Sequence, residues 1–126
     1  KQPWFVQRAD GAPLAMAGLW ETRTDEDGSA LRTCTILTVE ANADLAPIHH
    51  RMPALLPPGD WAGWLDPSTC DASALESLLV PAPDGLLEFH PVDPRVNDAR
   101  RKGAELTVPM DGFPQVSDVV AQEALW

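Results

Sequence analysis

The sequence predicts an α+β domain made mainly of short antiparallel strands, and three observations lead there. Thirteen prolines and eight glycines in 126 residues cut the chain into short elements and leave little room for long helices. Residues 31–39 (Leu-Arg-Thr-Cys-Thr-Ile-Leu-Thr-Val) are dense in β-branched side chains and form the clearest strand pattern. Helical signals are confined to two brief stretches, near residues 60–65 and 73–80, which places the helices at the periphery.

In chain order, Trp4-Phe5-Val6 opens a short strand and Asp10-Gly11 is a strong turn signal. Residues 14–20 read as a buried strand, the second of a hairpin, ending at Glu21. Asp25-Glu26-Asp27-Gly28 is a polar turn without the spacing of a calcium loop. The strand at 31–39 follows, with Cys34 expected to be a small buried residue, and residues 49–56 form another strand closed by Pro57-Pro58-Gly59. Asp60 is placed to cap a short helix carrying Trp61 and Trp64 at core spacing, stopped by Asp66-Pro67. Ser73 and Glu76 make a capping-box pattern for a second helix over 73–80, and a late strand at 86–92 carries His90.

Composition bounds the function. The chain is long enough for a modest core, and no apolar run approaches the roughly 18 residues that span a membrane. Two cysteines, Cys34 and Cys70, make neither a disulfide framework nor a metal-ligand spacing, so a cytoplasmic location is expected. A formal charge of −10 argues against nucleic acid as a partner, although a small basic groove on an acidic body is compatible with it. Arg95, Arg100, Arg101 and Lys102 gather four of the nine basic residues in one polar arm, a solvated loop or a basic lip for a polyanion.

Two segments place ionisable groups in apolar company: Ala17-Gly18-Leu19-Trp20-Glu21 and Ile48-His49-His50-Arg51-Met52-Pro53. Such groups are usually paired or used, because burying an unpaired charge is expensive. Glu21 and one histidine would make a general acid/base pair. Glu21 could equally form a structural ion pair with Arg51 in a non-catalytic ligand- or protein-binding β-domain. A third reading is a metal hydrolase using His49, His90 and acids. Alternation along a strand would send His49 and His50 to opposite faces, which counts against a metal site.

The order of these pieces carries a resemblance. Ala17-Gly-Leu-Trp-Glu21, Thr33-Cys-Thr-Ile-Leu-Thr-Val-Glu-Ala-Asn42, Ile48-His-His-Arg-Met-Pro53, Trp64-Leu-Asp66, Pro91-Val92 and Arg95-Val-Asn97 resemble the SOS response-associated peptidase (SRAP) family. The resemblance covers residues 1–109 as the C-terminal part of the domain and leaves 110–126 as a tail. It implies a mainly antiparallel, β-barrel-like core with short peripheral helices. It also implies recognition of abasic sites in single-stranded DNA and covalent crosslinking through an N-terminal cysteine, uncovered by autocatalytic removal of the initiator methionine. By motif, Glu21 is similar to the family's catalytic glutamate and His49 to its catalytic histidine. Thr38 falls where the family has a site hydroxyl, and Arg51 where a basic residue lies near the DNA path. No cofactor or metal is implied. The implied partners are abasic single-stranded DNA and the upstream N-terminal segment of the same domain, with no membrane, in a cytoplasmic, nucleoid-associated setting. The sequence departs from the pattern at its start, Lys1-Gln2-Pro3-Trp4, which has no Met-Cys. Neither Cys34 nor Cys70 replaces that cysteine, because the chemistry needs an α-amine and a thiol on one residue.

Overall fold

The computed structural model describes residues 2–68 and 71–110, so Cys70 and the tail beyond Met110 lie outside the described residues. The described elements are β1 (Trp4–Arg8), β2 (Gly18–Thr24), β3 (Ala30–Ile36), β4 (Thr38–Glu40), β5 (Arg51–Pro53), α1 (Trp61–Leu65), α2 (Ala72–Glu76) and β6 (Leu87–Pro91). This is an α+β arrangement. The strands pair as β1–β6, β2–β3 and β4–β5, each pair antiparallel, and among the described residues these sheets do not close into a barrel. The chain divides into two compact units, one formed by residues 14–83 and the other by the two ends of the chain.

In the unit formed by the chain ends, β1 lies along β6 in the register Trp4↔Pro91 to Arg8↔Leu87. The Asp10-Gly11 turn does form, with Gly11 at φ 72° and its N–H on the Arg8 carbonyl, but it does not lead into a β1–β2 hairpin. The next segment has other partners: the Ala15 carbonyl accepts from Leu56 and the Ala17 N–H donates to Ala54. With those groups spent on residues 54–56, β1 pairs with β6 instead. Trp4 packs edge-on against Phe89 with ring centroids 6.0 Å apart, and Leu87, Val92 and Leu106 are buried. His90, in the predicted late strand, has Nε2 2.8 Å from the Thr107 carbonyl.

The 14–83 unit is organised by three peptide groups. Ala17 N–H donates to the Ala54 carbonyl (2.8 Å), Ala54 N–H to the Leu37 carbonyl (2.9 Å), and Leu37 N–H to the Ala17 carbonyl (2.9 Å), closing a ring. Ala17 and Ala54 are both 0% exposed, so two corners of the ring are closed to solvent. The third corner explains why the expected strand at 31–39 is two strands. At Leu37 the chain stops pairing with β2 and starts pairing with β5, so β3 and β4 flank a residue whose own peptide serves the ring.

Around the ring, Met52, Val39, Leu45, Leu56 and Ala82 are buried. Asn42 is the one buried polar residue among those described, and its bonds account for it. Its Oδ1 accepts from Leu45 N–H (3.1 Å), and its Nδ2 donates to the carbonyls of Ala82 (3.2 Å) and Pro83 (3.4 Å). Asn42→Ala should therefore destabilise the protein by about 1–3 kcal/mol, since those groups lose their partner in a closed environment. A fall in the denaturation midpoint at unchanged slope checks this, and an unchanged midpoint would count against the role.

The first helix has the expected extent, the second is shorter than expected, and both caps differ from those the sequence suggested. Asp60 makes no side-chain cap bond; it ends a 3₁₀ turn over Pro58–Asp60. The indoles tether α1 instead, Trp61 Nε1 to the Leu56 carbonyl (2.8 Å) and Trp64 Nε1 to the Gly18 carbonyl (3.2 Å). For α2 the cap is Asp71, accepting from Ala74 N–H, and not Ser73. Asp71 lies three residues before an orphan N–H, and its carboxylate reaches it.

Candidate functional site

The Ala-Gly-Leu-Trp-Glu segment divides into a structural half and a presented half. Ala17 is a ring corner. At Gly18 an added Cβ would come within 3.1 Å of the Thr35 carbonyl, so a side chain there would crowd β3. From Leu19 onward β2 leaves the packed region. Every side chain of β3, and every one of β2 beyond Gly18, is exposed. Glu21 faces Thr33 across the hairpin and, with Leu19, Trp20, Thr33, Cys34 and Thr35, lines an open recess of about 420 Å³. Arg32 lies over the Trp20 ring, 5.1 Å from its centroid.

Two expectations are corrected here. Cys34 is exposed and not buried, because nothing among the described residues covers either face of the hairpin. For the same reason Leu19 (54% exposed) and Trp20 (67%) do not desolvate Glu21 as their apolar character suggested.

Thr38, His49 and Arg51 are brought together directly. The Arg51 guanidinium reaches back along β4 and donates through Nη2 to the Thr38 carbonyl and, at 3.1 Å, to its Oγ1, with Nε 3.4 Å from the same hydroxyl. A planar fork gripping both oxygens of one residue is a geometry that lysine does not reproduce. Arg51 N–H donates to His49 Nδ1 at 3.0 Å. The Glu21–Arg51 ion pair of the non-catalytic reading is not formed: the guanidinium is held by Thr38, and among the described residues neither side chain is paired in a salt bridge. No hydrogen bond among the described residues joins Glu21 to His49, and His49 is not among the residues lining the Glu21 recess.

The adjacent histidines do not take opposite faces. The expected strand at 49–56 is paired only over Arg51–Pro53, with one further bridge between Met16 and Leu55. His49 sits at the end of a turn, its N–H and that of Ile48 both donating to the Leu45 carbonyl. Alternation holds only where the backbone is extended. Here the two imidazoles stack, with centroids 4.6 Å apart and planes 23° from parallel.

The basic arm is partly neutralised from within, two carboxylates facing four basic residues. Arg95 pairs with Asp93 (2.8 Å), Arg100 with Asp98 (2.9 Å), and Arg101 lies 3.8 Å from Asp98. The Arg95 main-chain N–H holds the Asp93 carboxyl below its usual range, and the Arg100 guanidinium does the same for Asp98. Both carboxyls thus stay ionised under ordinary conditions and cancel part of the arm's charge. Among the described residues, no three His, Cys, Asp or Glu side chains converge as metal ligands, so the metal-hydrolase reading finds no ligand set there. No described helix is long and apolar enough to cross a membrane.

Sequence reasoning missed Asn42, the His49–His50 stack and the Arg51–Thr38 clamp. Asn42 had a signal, an amide at the start of a turn between two alanines. The clamp had none, because it joins residues 13 apart through a strand register that no local pattern states.

Comparison with known proteins adds the family. The profile described as SOS response associated peptidase (SRAP) matches residues 1–99, a span that includes Glu21, Thr38, His49 and Arg51. The abasic site processing protein YoaM of Bacillus subtilis is 36% identical over 106 residues, covering 84% of this chain and 47% of that protein. The abasic site processing protein HMCES of Gallus gallus is 40% identical over 106 residues, covering 81% of this chain and 31% of that protein. A crystal structure of a protein from Bacteroides thetaiotaomicron superposes with a TM-score of 0.75 at 22% identity, covering 86% of this chain and 48% of that one, which shows a shared fold. The chain spans about half the length, or less, of these relatives.

Proposed function

Because this chain belongs to the SRAP family, we propose that it forms part of a domain that recognises abasic sites in single-stranded DNA and bonds to them covalently. The observation that carries the reading is the family match across residues 1–99, which contains all four candidate side chains. The names of the relatives, abasic site processing proteins, supply the substrate class. In this reading Glu21 and His49 are the acid/base groups, Thr38 and Arg51 lie along the DNA path, and the domain is an autoproteolytic enzyme that exposes its own cysteine.

The chemistry closes as follows. The α-amine of an N-terminal cysteine adds to the aldehyde of the ring-opened sugar, and the resulting hydroxyl leaves as water once it is protonated, giving a Schiff base. The cysteine thiol then adds to the imine carbon and its proton passes to nitrogen, closing a thiazolidine. A carboxyl at Glu21 is suited to relay the proton to the departing hydroxyl, and an imidazole at His49 to hold the sugar oxygen during ring opening. The cysteine itself comes from the N-terminal segment of the domain, which is the polypeptide partner of this chain. That segment would also complete the barrel-like core, since among the described residues β2 and β3 pair only with each other and leave their outer edges to further strands.

The test is direct. The complete domain should form a bond to abasic single-stranded DNA that survives a denaturing gel, and Lys1–Trp126 without the N-terminal segment should form none. Crosslinking by Lys1–Trp126 would overturn the assignment of the nucleophile.

A physical expectation accompanies this. Leu19, Trp20, Leu31 and Ile36 are all about half exposed or more on one hairpin with open edges. Exposed apolar surface beside unpaired strand edges promotes association. Lys1–Trp126 should therefore self-associate in sedimentation, and Ile36→Lys should shift it toward monomer. A monomeric wild-type chain with a sharp melt would refute this.

A further inference from the structure

The Arg51 guanidinium suggests a DNA contact, but its surroundings describe another task. The Ala41 N–H donates to the His50 carbonyl (3.1 Å) while Glu40 stands opposite Arg51. In an antiparallel ladder, hydrogen-bonded and non-hydrogen-bonded pairs alternate, so Arg51 occupies a non-bonded position. Its N–H and C=O both point off the edge of β5, away from β4. The His49 ring covers them: Nδ1 is 3.0 Å from Arg51 N and 3.0 Å from Arg51 O. A main-chain N–H has no role except to donate, and the ring nitrogen is its acceptor here.

We propose that Arg51 is the positioning residue of this site. Its main chain engages Nδ1 of neutral His49, so that the ring carries its proton on Nε2, and its guanidinium maintains this by tying β5 to Thr38 on β4. The assignment rests on His49 being the working imidazole of the reading above. It specifies the ring's role: neutral His49 offers a donor at Nε2, fit to hold an oxygen, and does not offer a base there. Thr38 then serves as the anchor of the latch, through its carbonyl and its hydroxyl.

The experiment reads the tautomer on the protein itself, apart from any DNA reaction. Two-bond proton–nitrogen correlation spectra of the full chain with ¹⁵N-labelled histidine, taken where imidazole is neutral, should show His49 as a single Nε2–H tautomer. Thr38→Val, nearly isosteric, removes the hydroxyl and should move His49 toward the mixture typical of a free ring; Thr38→Ser should restore the single tautomer. Arg51→Ala, which keeps the main-chain N–H but loses the latch, should act like Thr38→Val. An Nδ1–H tautomer in the wild type, or a His49 indifferent to both Thr38→Val and Arg51→Ala, overturns the proposal. If Arg51→Ala fails to fold, the Thr38 pair decides. Failure of the complete domain to crosslink abasic DNA, with the tautomers as expected, would sink the functional reading and leave the positioning role standing.

Discussion

In the complete family domain, Glu21→Gln and His49→Ala should each slow covalent capture of an abasic site by about 10²-fold or more, the usual scale for losing a general acid or base. Glutamine keeps the size and polarity of Glu21 but has no proton to relay. Alanine at 49 removes the donor proposed to hold the sugar oxygen, together with the ring that accepts from Arg51 N–H. His50→Ala is the informative control. Strand alternation would make it silent, but the rings stack at 4.6 Å. A ring stack contributes roughly 0.5–1.5 kcal/mol, so His50→Ala should slow capture by at most about tenfold. Single-turnover rates decide among these. Equal losses at His49 and His50, or none at Glu21, would show the acid/base assignment to be wrong.

Met52→Ala should produce the largest loss of stability, about 2–5 kcal/mol. Met52 is 1% exposed and is the largest side chain so fully enclosed among the described residues. It lies on β5 opposite Val39, one residue from Arg51 and two from the ring corner at Ala54. Its sulfur also accepts from Asn42 N–H at 3.3 Å. Truncation would open a cavity beneath the strand that carries Arg51 and loosen the turn that begins at Asn42. Met52→Leu keeps most of the volume and should cost less than about 1.5 kcal/mol. Denaturant midpoints for the two variants check the difference, and an equal loss would mean that the thioether, not the filled volume, is what matters.

The candidate site was legible as a set of residues. Glu21, Thr38, His49 and Arg51 stand out because their chemistry is conspicuous in apolar sequence and their motifs occur in a familiar order. Their arrangement was less legible. Glu21 was expected to be enclosed because Leu19 and Trp20 precede it, but enclosure depends on what covers a strand, and no residue's neighbours in sequence specify that. His49 and His50 were assigned opposite faces on the premise that the segment is extended. The turn closed by the Leu45 carbonyl removes the premise.

Short-range physics decided what the chain could read out unaided. Proline and glycine limit element length, β-branched runs make strands, and the four residues Asp25–Gly28 turn the chain between β2 and β3 with Gly28 at φ 82°. These effects act through each residue's own backbone preferences, so they survive in the sequence. Pairing does not. The segment at 15–17 was expected to pair locally with β1, yet it satisfies its peptide groups against residues 54–56, and β1 lies on β6, about eighty residues away. The same competition splits the strand at Leu37 and places the Thr38 hydroxyl under the Arg51 guanidinium. Each choice was settled by which distant peptide could be paired while apolar surface was buried, and only the folded chain brings those candidates together.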